Sequence, residues 1–462
     1  MKQIALFFLI FLIIQQIQAQ QTLILSLDSC IEMSLRNSYD LKSAIKLKEK
    51  ARAEHNGVRS MFFPKVSLNA SAVYMFKDIN LTKNIPDFIE EEALHNLPEG
   101  IDWQPILDVI QQTFSKFWQP IELSLKGAYM AGVSLQQPIF AGGRIINGTK
   151  MAKLGERMSE ENIRLKRHEA ILAAHQTYWM YVSVGEKVRL AKAYEKLLAE
   201  LENTVKNVKD VDMINRADLL KIQVQHDEVK GKVRQAEAGL QLSRMALCQI
   251  IGVDFSTSII ASDTTFYDRP IISSLSGNAL DKRPEYKLLS MQAEMKSLEK
   301  RDKIGEYLPT IGVAATLGYI GGLKINQYKP NAYNISNAMA VLSVPITGWW
   351  EGSAKIKSAK ADEDIAKLEL QKNRELLNLQ IQQAIMNLNN AYSDLQHAQE
   401  ALKYADESLK VSQDRYSVGM ETLTELLFTQ TSWQATHSQL IDAKINYRQR
   451  EIEYLKAIGE IE

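Results

Sequence analysis

The chain has 462 residues, 45% of them hydrophobic, and its 55 basic and 55 acidic side chains balance to a formal net charge of zero. This length predicts two or three domains, and the charge balance gives no electrostatic attraction to nucleic acid, so no nucleic-acid partner is expected. The sequence contains two cysteines, Cys30 and Cys248, which are too few for a disulfide framework or a thiolate metal site. Two free, buried thiols are favoured, with a single disulfide as the alternative.

The N-terminal segment has the order of a secretory signal peptide. Lys2 is followed by an unbroken apolar run from Ile4 to Ile14, and the segment closes at Ala19. A membrane anchor is the alternative, but this run is shorter than the roughly 20 apolar residues that a spanning helix needs. Residues 1–19 are therefore predicted to be a signal peptide and the mature chain to be exported. No later segment is long and apolar enough for a transmembrane helix, so a membrane location would require a closed β-barrel.

Short patterns recur in the same order at two constant offsets. Phe63-Pro64-Lys65-Val66 matches Leu308-Pro309-Thr310-Ile311 at an offset of 245, and Gln137-Pro138-Ile139-Phe140 matches Val344-Pro345-Ile346-Thr347 at an offset of 207. The sequence therefore predicts two structural repeats, residues 20–265 and residues 266–462. The change of offset predicts an insertion in the first repeat over about 79–121, expected to be an extracellular loop.

Two periodicities predict the elements of each repeat. Side chains alternate between apolar and polar, as in Val66, Leu68 and Ala70 against Lys65, Ser67 and Asn69, which predicts strands. The stretch from 353 to 415 contains neither Pro nor Gly, which predicts a helix of roughly 65 residues, close to 100 Å long at 1.5 Å per residue.

The same plan applies to both repeats. In the first, we expect a short helix over about 41–59, strands over about 62–78 and 124–139, a long helix over about 144–209 and a returning helix over about 217–250. In the second, we expect strands over about 310–320 and 334–345, a long helix over about 351–415 and a returning helix over about 421–458.

Large apolar residues recur every seven positions in the second long helix, with alanines three positions later. The large residues are Ile381, Leu388, Leu395, Leu402 and Leu409, and the alanines are Ala384, Ala391, Ala398 and Ala405. A strict seven-residue repeat specifies close coiled-coil packing. Four strands, by contrast, are too few to close a barrel, for which about eight is the practical minimum. Any barrel must therefore be shared between protomers.

Three segments resemble a known family. They are the helical segment from Leu25 to Ser38, Gln137-Pro138-Ile139-Phe140-Ala141-Gly142-Gly143-Arg144, and Arg415-Tyr416-Ser417-Val418-Gly419. In this order on a duplicated chain, they are similar to the TolC-like outer membrane efflux family. The resemblance implies a mixed membrane α+β fold and a homotrimer. Each protomer would contribute four strands to a twelve-stranded outer-membrane β-barrel, continued by a periplasmic α-helical barrel.

The resemblance also implies a function and a location. The chain would be the outer-membrane channel component of a tripartite efflux or type I secretion system, a passive conduit for solutes from periplasm to exterior. The implied location is the bacterial outer membrane, extending into the periplasm. The implied partners are two further copies of the chain, a periplasmic adaptor (membrane fusion) protein, an inner-membrane pump reached through the adaptor, and outer-membrane lipid. No cofactor is implied.

The family joins its adaptor at the turns between long and returning helices. In the second repeat, the matching turn is Val418-Gly419-Met420. In the first repeat it is Val211-Asp212-Met213, which has an aspartate where the family has glycine. The resemblance therefore implies two docking turns, of which only the second fits the family pattern. Gly419 is expected to have a positive φ.

The family also narrows its periplasmic end with a carboxylate ring and a tyrosine-centred polar lock. Glu425 matches the first ring carboxylate, and Phe428 lies where a second acid is expected. Tyr416 and Asp218 match members of the lock, but Glu421 takes the place of its arginine. The implied gate is therefore incomplete, and Glu425 as a solvated helix residue and Phe428 as a packing residue remain alternatives.

No pattern predicts catalytic residues or a metal site. His168 and His175 are seven positions apart rather than one turn apart, and the sequence contains no His-Glu-x-x-His motif. The segment from Gly143 to Lys150 resembles a phosphate-binding loop, but Thr149 precedes Lys150 where the lysine must come first. Two other hypotheses stay open: an exported coiled-coil scaffold or adhesin without a conducting tunnel, and a periplasmic enzyme whose active residues follow no motif.

Overall fold

The computed structural model describes residues 22–83, 121–209, 216–262, 279–325 and 332–461, together with isolated positions between 102 and 113. The predicted signal peptide and most of the predicted insertion lie outside the described residues. The docking turn expected at Val211, Asp212 and Met213 also lies outside them.

The described residues form long helices and two sheets. The helices are α1 Leu27–Asn37, α2 Tyr39–Arg59, α3 Arg144–Lys209, α4 Arg216–Ile251, α5 Ala279–Lys282, α6 Pro284–Gly305, α7 Trp349–Ser417 and α8 Leu423–Ala457. The strands are β1 Thr22–Leu25, β2 Lys65–Lys83, β3 Ile121–Ala141, β4 Ser258–Ala261, β5 Thr310–Ile325 and β6 Tyr333–Ser343. Among the described residues, no helix is both long and apolar enough to cross a membrane.

Five helices had predicted bounds. They are α2, α3, α4, α7 and α8, and each begins and ends within two residues of its predicted bounds. The first long helix covers 144–209, as expected, after Gly142 and Gly143 turn the chain with positive φ angles of 61° and 80°. The last helix begins at Leu423 rather than 421, because Thr422 caps its N-terminus with its side chain.

The strands deviate more from the predicted bounds. The first begins at Lys65 rather than 62, because residues 60–62 form a 3₁₀ turn. It then continues to Lys83 past an irregular pairing between Tyr74 and Ile79. Such an irregularity changes which side chains lie on each face of the sheet. A period-two sequence pattern therefore does not predict the strand beyond this point. The last strand ends at Ser343, since Pro345 cannot donate to the ladder.

By Cα proximity, the chain divides into two compact units, each drawing residues from both predicted repeats. The helical unit comprises Met1–Ala53, Lys153–Lys296 and Asp362–Glu462, and the sheet unit comprises Glu54–Ala152 and Ser297–Ala361.

The sheet unit is built on four antiparallel strands in the order β2-β3-β5-β6. β2 and β5 begin at Lys65 and Thr310, which are 245 positions apart, the same offset as in the sequence pattern. Gly132 pairs with Gly318 where β3 and β5 approach closely, since a Cβ on either residue would press on the backbone of the other strand. Glycine is therefore required for this close approach.

One core of the helical unit is organised around a small parallel sheet. β1 pairs with β4, and Leu25 and Ile259 of these strands pack with buried side chains of α1, α3 and α4. Cys30 and Cys248 are both free and buried in this core, as favoured from the sequence. Burial raises the pKa of the Cys30 thiol to about 12. That thiol therefore stays protonated at neutral pH.

Another core of the helical unit is the seam between α7 and α8. Ile381, Leu388 and Leu395 are buried there against Leu440 and Tyr447 of α8. The seven-residue pattern thus packs two antiparallel helices of the same protomer. Packing within the chain, rather than between copies, accounts for this face of α7.

We expect Leu388→Asp to lower the free energy of unfolding of the helical unit by about 3 to 5 kcal/mol, because it buries an unpaired charge in this seam. The measurement is urea unfolding of the detergent-solubilised full chain, followed by the far-ultraviolet helix signal. The matched control is Asn389→Asp, which adds the same charge at the exposed neighbouring position and should change stability by less than about 0.5 kcal/mol. Equal effects of the two variants would contradict the assigned seam.

Candidate functional site

The turn between α7 and α8 is built by two capping motifs. Gly419 has a φ of 77°, its N–H donates to Tyr416 O at 3.0 Å, and the Met420 N–H donates to Arg415 O at 2.9 Å. These two bonds and the left-handed glycine form a Schellman motif, which ends α7. A Cβ on Gly419 would meet no atom within 4 Å, so the backbone conformation alone disfavours other residues there.

Glu425 has a structural role that the sequence comparison did not predict. Thr422 accepts from the Glu425 N–H, and the Glu425 carboxylate accepts from the Thr422 N–H at 2.9 Å and from the Thr422 hydroxyl at 2.8 Å, which completes a capping box. These hydrogen bonds hold the pKa of Glu425 below its usual value. The carboxylate is nevertheless exposed, so Glu425 combines a capping role with a solvent-facing charge.

Tyr416 and Asp218, matched to the polar lock, lie near each other. Tyr416 packs against a core of Val205, Ile222 and Leu423, which joins α3, α4, α7 and α8. Burial, with a further contribution from the Asp218 carboxylate, raises the pKa of Tyr416. Tyr416 is therefore a neutral phenol at pH 7, held next to a carboxylate.

A lysine and a glutamate, neither of them family lock residues, stabilise this region. Lys221 lies 3.5 Å from the Asp218 carboxylate and donates to the Thr424 hydroxyl at 3.3 Å, which links α4 to the start of α8. Glu421 accepts from the Ser412 hydroxyl and lies 3.7 Å from Arg415 Nε. The residue in the place of the family's arginine thus folds back on α7 and stabilises the turn.

Three apolar residues at or near the turn face solvent. Phe428 is 76% exposed, Met420 is 73% exposed and Val418 is 65% exposed. Phe428 is therefore not a packing residue within the protomer, the alternative considered for it. Because Phe428 follows Glu425 by three residues in the same helix, the two lie on neighbouring parts of one helix face.

A partly buried ion cluster lies nearby, between α3 and α4. Glu202 Oε2 is 2.6 Å from His226 Nδ1, and Glu202 Oε1 is 2.6 Å from Lys206 Nζ. Hydrogen bonds from Lys206 and His226 lower the pKa of Glu202 to about 2. Sequence reasoning missed this cluster because its residues come from two helices and form no local motif.

In the part of the chain that the structure describes, no three His, Cys, Asp or Glu side chains are grouped to hold a metal ion. His168 and His175 are both buried in the helical unit. Burial lowers the pKa of His175 to about 4, so it is neutral at physiological pH.

The described residues combine a four-stranded antiparallel sheet with helices of up to 69 residues. Residues 287–460 match the family model "Outer membrane efflux protein". The resemblance predicted from the sequence is thereby confirmed. No curated protein sequence matches the chain.

Solved structures match over nearly the whole chain. The CmeC outer membrane channel of Campylobacter jejuni has a TM-score of 0.74 at 17% identity, covering 94% of this chain and 85% of that one. VceC of Vibrio cholerae has a TM-score of 0.71 at 13% identity, covering 94% and 96%. The open MtrE channel of Neisseria gonorrhoeae has a TM-score of 0.73 at 15% identity, covering 94% and 88%. At these identities, the likeness concerns the fold.

We expect Glu202→Gln to lower the free energy of unfolding by about 1 to 3 kcal/mol at pH 7, because the charged hydrogen bonds to Lys206 and His226 are lost. The folded-state pKa of Glu202 is about 2 against a usual 4.5, so its contribution is complete above pH 4.5 and decreases as the pH falls toward 2. The difference between wild type and variant should therefore shrink over that range.

Denaturant unfolding at pH 7, 4 and 3 measures this difference. The control is Glu200→Gln on the same helix, whose carboxylate is 65% exposed and 3.9 Å from Lys196. If Glu202→Gln lowers the free energy of unfolding by the same amount at all three pH values, the cluster acts through its shape rather than its charge.

Proposed function

We propose that this chain is the outer-membrane channel component of a tripartite efflux or type I secretion system, a passive conduit from periplasm to exterior. The proposal rests on one observation: a fold shared with efflux channels over 94% of the chain, joined to a family match over residues 287–460. The chain lies in the bacterial outer membrane and extends into the periplasm.

The sheet supports a shared membrane barrel. Leu68, Val133 and Leu317 are opposite one another in successive strands, so their exposed side chains lie on one face. The next row contains Ser67 and Ser134, whose hydroxyls are 2.7 Å apart on the other face. A membrane barrel has this alternation, with an apolar outside and a polar inside. In the described sheet, β2 and β6 each have one neighbour, so both edges are free to pair with other protomers.

The outer face of α7 supports assembly of several copies. Its exposed apolar side chains follow a helical spacing and are Ile365, Leu368, Leu376, Leu379 and Met386. An extended apolar stripe of this kind is typical of an interface rather than of a solvated surface. Three copies would form the twelve-stranded barrel and the periplasmic helical barrel that the family resemblance implies.

The turn between α7 and α8 supports two further proposed roles, adaptor docking and gating of the tunnel. The turn presents an exposed apolar projection formed by Val418, Gly419 and Met420, to which a periplasmic adaptor could bind. Through the adaptor, the chain would be connected to an inner-membrane pump. The carboxylates of three copies of Glu425, with Phe428 beside each, would create a negative potential at the tunnel end, which favours cations over anions.

We expect the purified protein to conduct ions with a preference for cations when reconstituted in a planar lipid bilayer. An exported scaffold or adhesin would give no conductance. Glu425→Gln should weaken cation selectivity and block by multivalent cations added on the periplasmic side, while Phe428→Asp should strengthen the block. Glutamine retains the capping box, so this variant separates the charge of Glu425 from its structural role.

The control for this experiment is Glu400→Gln, which removes an exposed carboxylate of α7 outside the turn. Wild-type selectivity in Glu425→Gln would remove Glu425 from the gate and leave it as a capping residue. An absence of conductance in every preparation would contradict the channel itself.

We expect Gly419→Val to reduce adaptor crosslinking severalfold without loss of oligomer, because a β-branched residue disfavours the left-handed backbone by about 1 to 3 kcal/mol and distorts the turn. Crosslinking from Met420→Cys to a co-expressed adaptor measures the effect, and the two native cysteines are buried and do not compete. Gly231→Val is the matched control, since Gly231 also has no atom within 4 Å of a built Cβ but lacks a positive φ. Crosslinking unchanged by Gly419→Val would contradict the docking role.

A further inference from the structure

A buried arginine in the helical unit lacks the partners that its charge requires. Arg283 directly precedes α6 and is 5% exposed. Its Nη2 is 3.3 Å from the side-chain amide oxygen Oε1 of Gln380 and 3.5 Å from the Glu285 carboxylate, both at the long end for hydrogen bonds. Its Nε and Nη1 have no acceptor among the described residues. An arginine with unsatisfied buried donors costs stability unless a ligand supplies acceptors.

Arg283 lines a cleft of about 390 Å³, and the other lining residues belong to α3, α7 and α8. The other polar side chains of the cleft are Gln380, Gln383, Asn387, Arg450, Glu453 and Lys456. Gln383 and Asn387 are four positions apart on α7, so their amides lie on one face of that helix. This volume is near the lower limit for small-molecule sites, so the cleft suits a small ligand.

The charges around the cleft favour an anion. Arg283, Arg450 and Lys456 line it against one carboxylate, Glu453. That carboxylate binds Arg450 at 2.7 Å, and the Glu285 carboxylate lies 3.5 Å from Arg283 Nη2, so three cationic side chains face two carboxylates around the cleft.

We propose that this cleft is a binding site for a carboxylate or phosphate group, with Arg283 as its principal ligand. The planar guanidinium offers paired donors that match the oxygens of such a group, and Lys456 adds charge. The amides of Gln383 and Asn387 can donate to the remaining oxygens. The group belongs either to a small free anion or to an acidic side chain of a second copy of the chain. None of these residues belongs to the α7–α8 turn, so the site is independent of the proposed gate.

The test is calorimetric titration of the detergent-solubilised full chain with sodium phosphate and with sodium acetate, at constant ionic strength in sodium chloride. We expect saturable binding by the wild type. At ten times the Kd, the bound anion should also lower the unfolding constant about 11-fold. Arg283→Gln should weaken binding at least tenfold, and Arg283→Lys should be intermediate because it retains charge without the planar fork.

Two further variants keep the test informative if Arg283 variants fold poorly. Lys456→Gln leaves Arg283 in place and should weaken anion binding severalfold. Arg374→Gln removes an exposed arginine of α7 that does not line the cleft, and it should bind like the wild type. If Arg283→Gln and Lys456→Gln both bind the anion as tightly as the wild type, the proposal is overturned.

The oligomeric form distinguishes the two sources of the anion. A free anion as the ligand predicts binding by the assembled protein. If the ligand is an acidic side chain of a second copy, the assembled protein should not bind added anions, whereas the dissociated chain should bind them. In that case, Arg283→Gln should also weaken self-association, and Arg374→Gln should not. Absence of anion binding by both the assembled and the dissociated chain would refute the site in either form.

Discussion

Burial of one apolar residue every seven positions along α7 is the constraint that supports the rest of the helical unit. A helix of 69 residues is not held in place in water by its own hydrogen bonds and needs side-chain packing along its length. In α8, Leu440 and Tyr447 provide that packing. The short side chain of Ala391 lies between the larger Leu388 and Leu395, which lets the two helices approach closely. The turn at 418–422 can be compact because the helices that it joins are already held together.

The turn itself is specified redundantly. A left-handed glycine ends one helix, a capping box starts the next, and Glu421 bonds back to Ser412 and Arg415 of α7. Each device satisfies backbone or charged groups that the helix ends would otherwise leave exposed. The backbone that carries the exposed Val418 and Met420 is therefore held in one conformation, which reduces the entropy lost when a partner binds them.

The sequence predicted the long helices well because their signal is the absence of Pro and Gly together with a repeated apolar spacing, and both are local properties. It predicted strand ends less well, because the irregular pairing after Tyr74 changes which face each side chain occupies. The parallel pair β1 and β4 was not predicted at all. Thr22–Leu25 and Ser258–Ala261 are four residues each and more than 230 positions apart, so nothing local indicates that they pair.

The candidate site shows the same division. Gly419 has the positive φ expected for it, since a glycine after a helix is a local signal. The double role of Glu425 could have been found from Thr422 three residues earlier, the spacing of a capping box. The ion cluster of Glu202 and His226 and the buried Arg283 depend on helices that meet only in the folded chain, so neither has a signature in the sequence.

The free edges of the sheet have a consequence for biogenesis. In the described sheet, β2 and β6 each present a row of backbone N–H and C=O groups that no described strand satisfies. A lone protomer is therefore a template for indiscriminate strand pairing. In the proposed assembly, the interval between synthesis and association with other copies would be the period of greatest aggregation risk, and slow association would increase losses more than low stability of the finished protein. Cells that produce this chain in quantity would gain from a holdase that covers those two edges until assembly is complete.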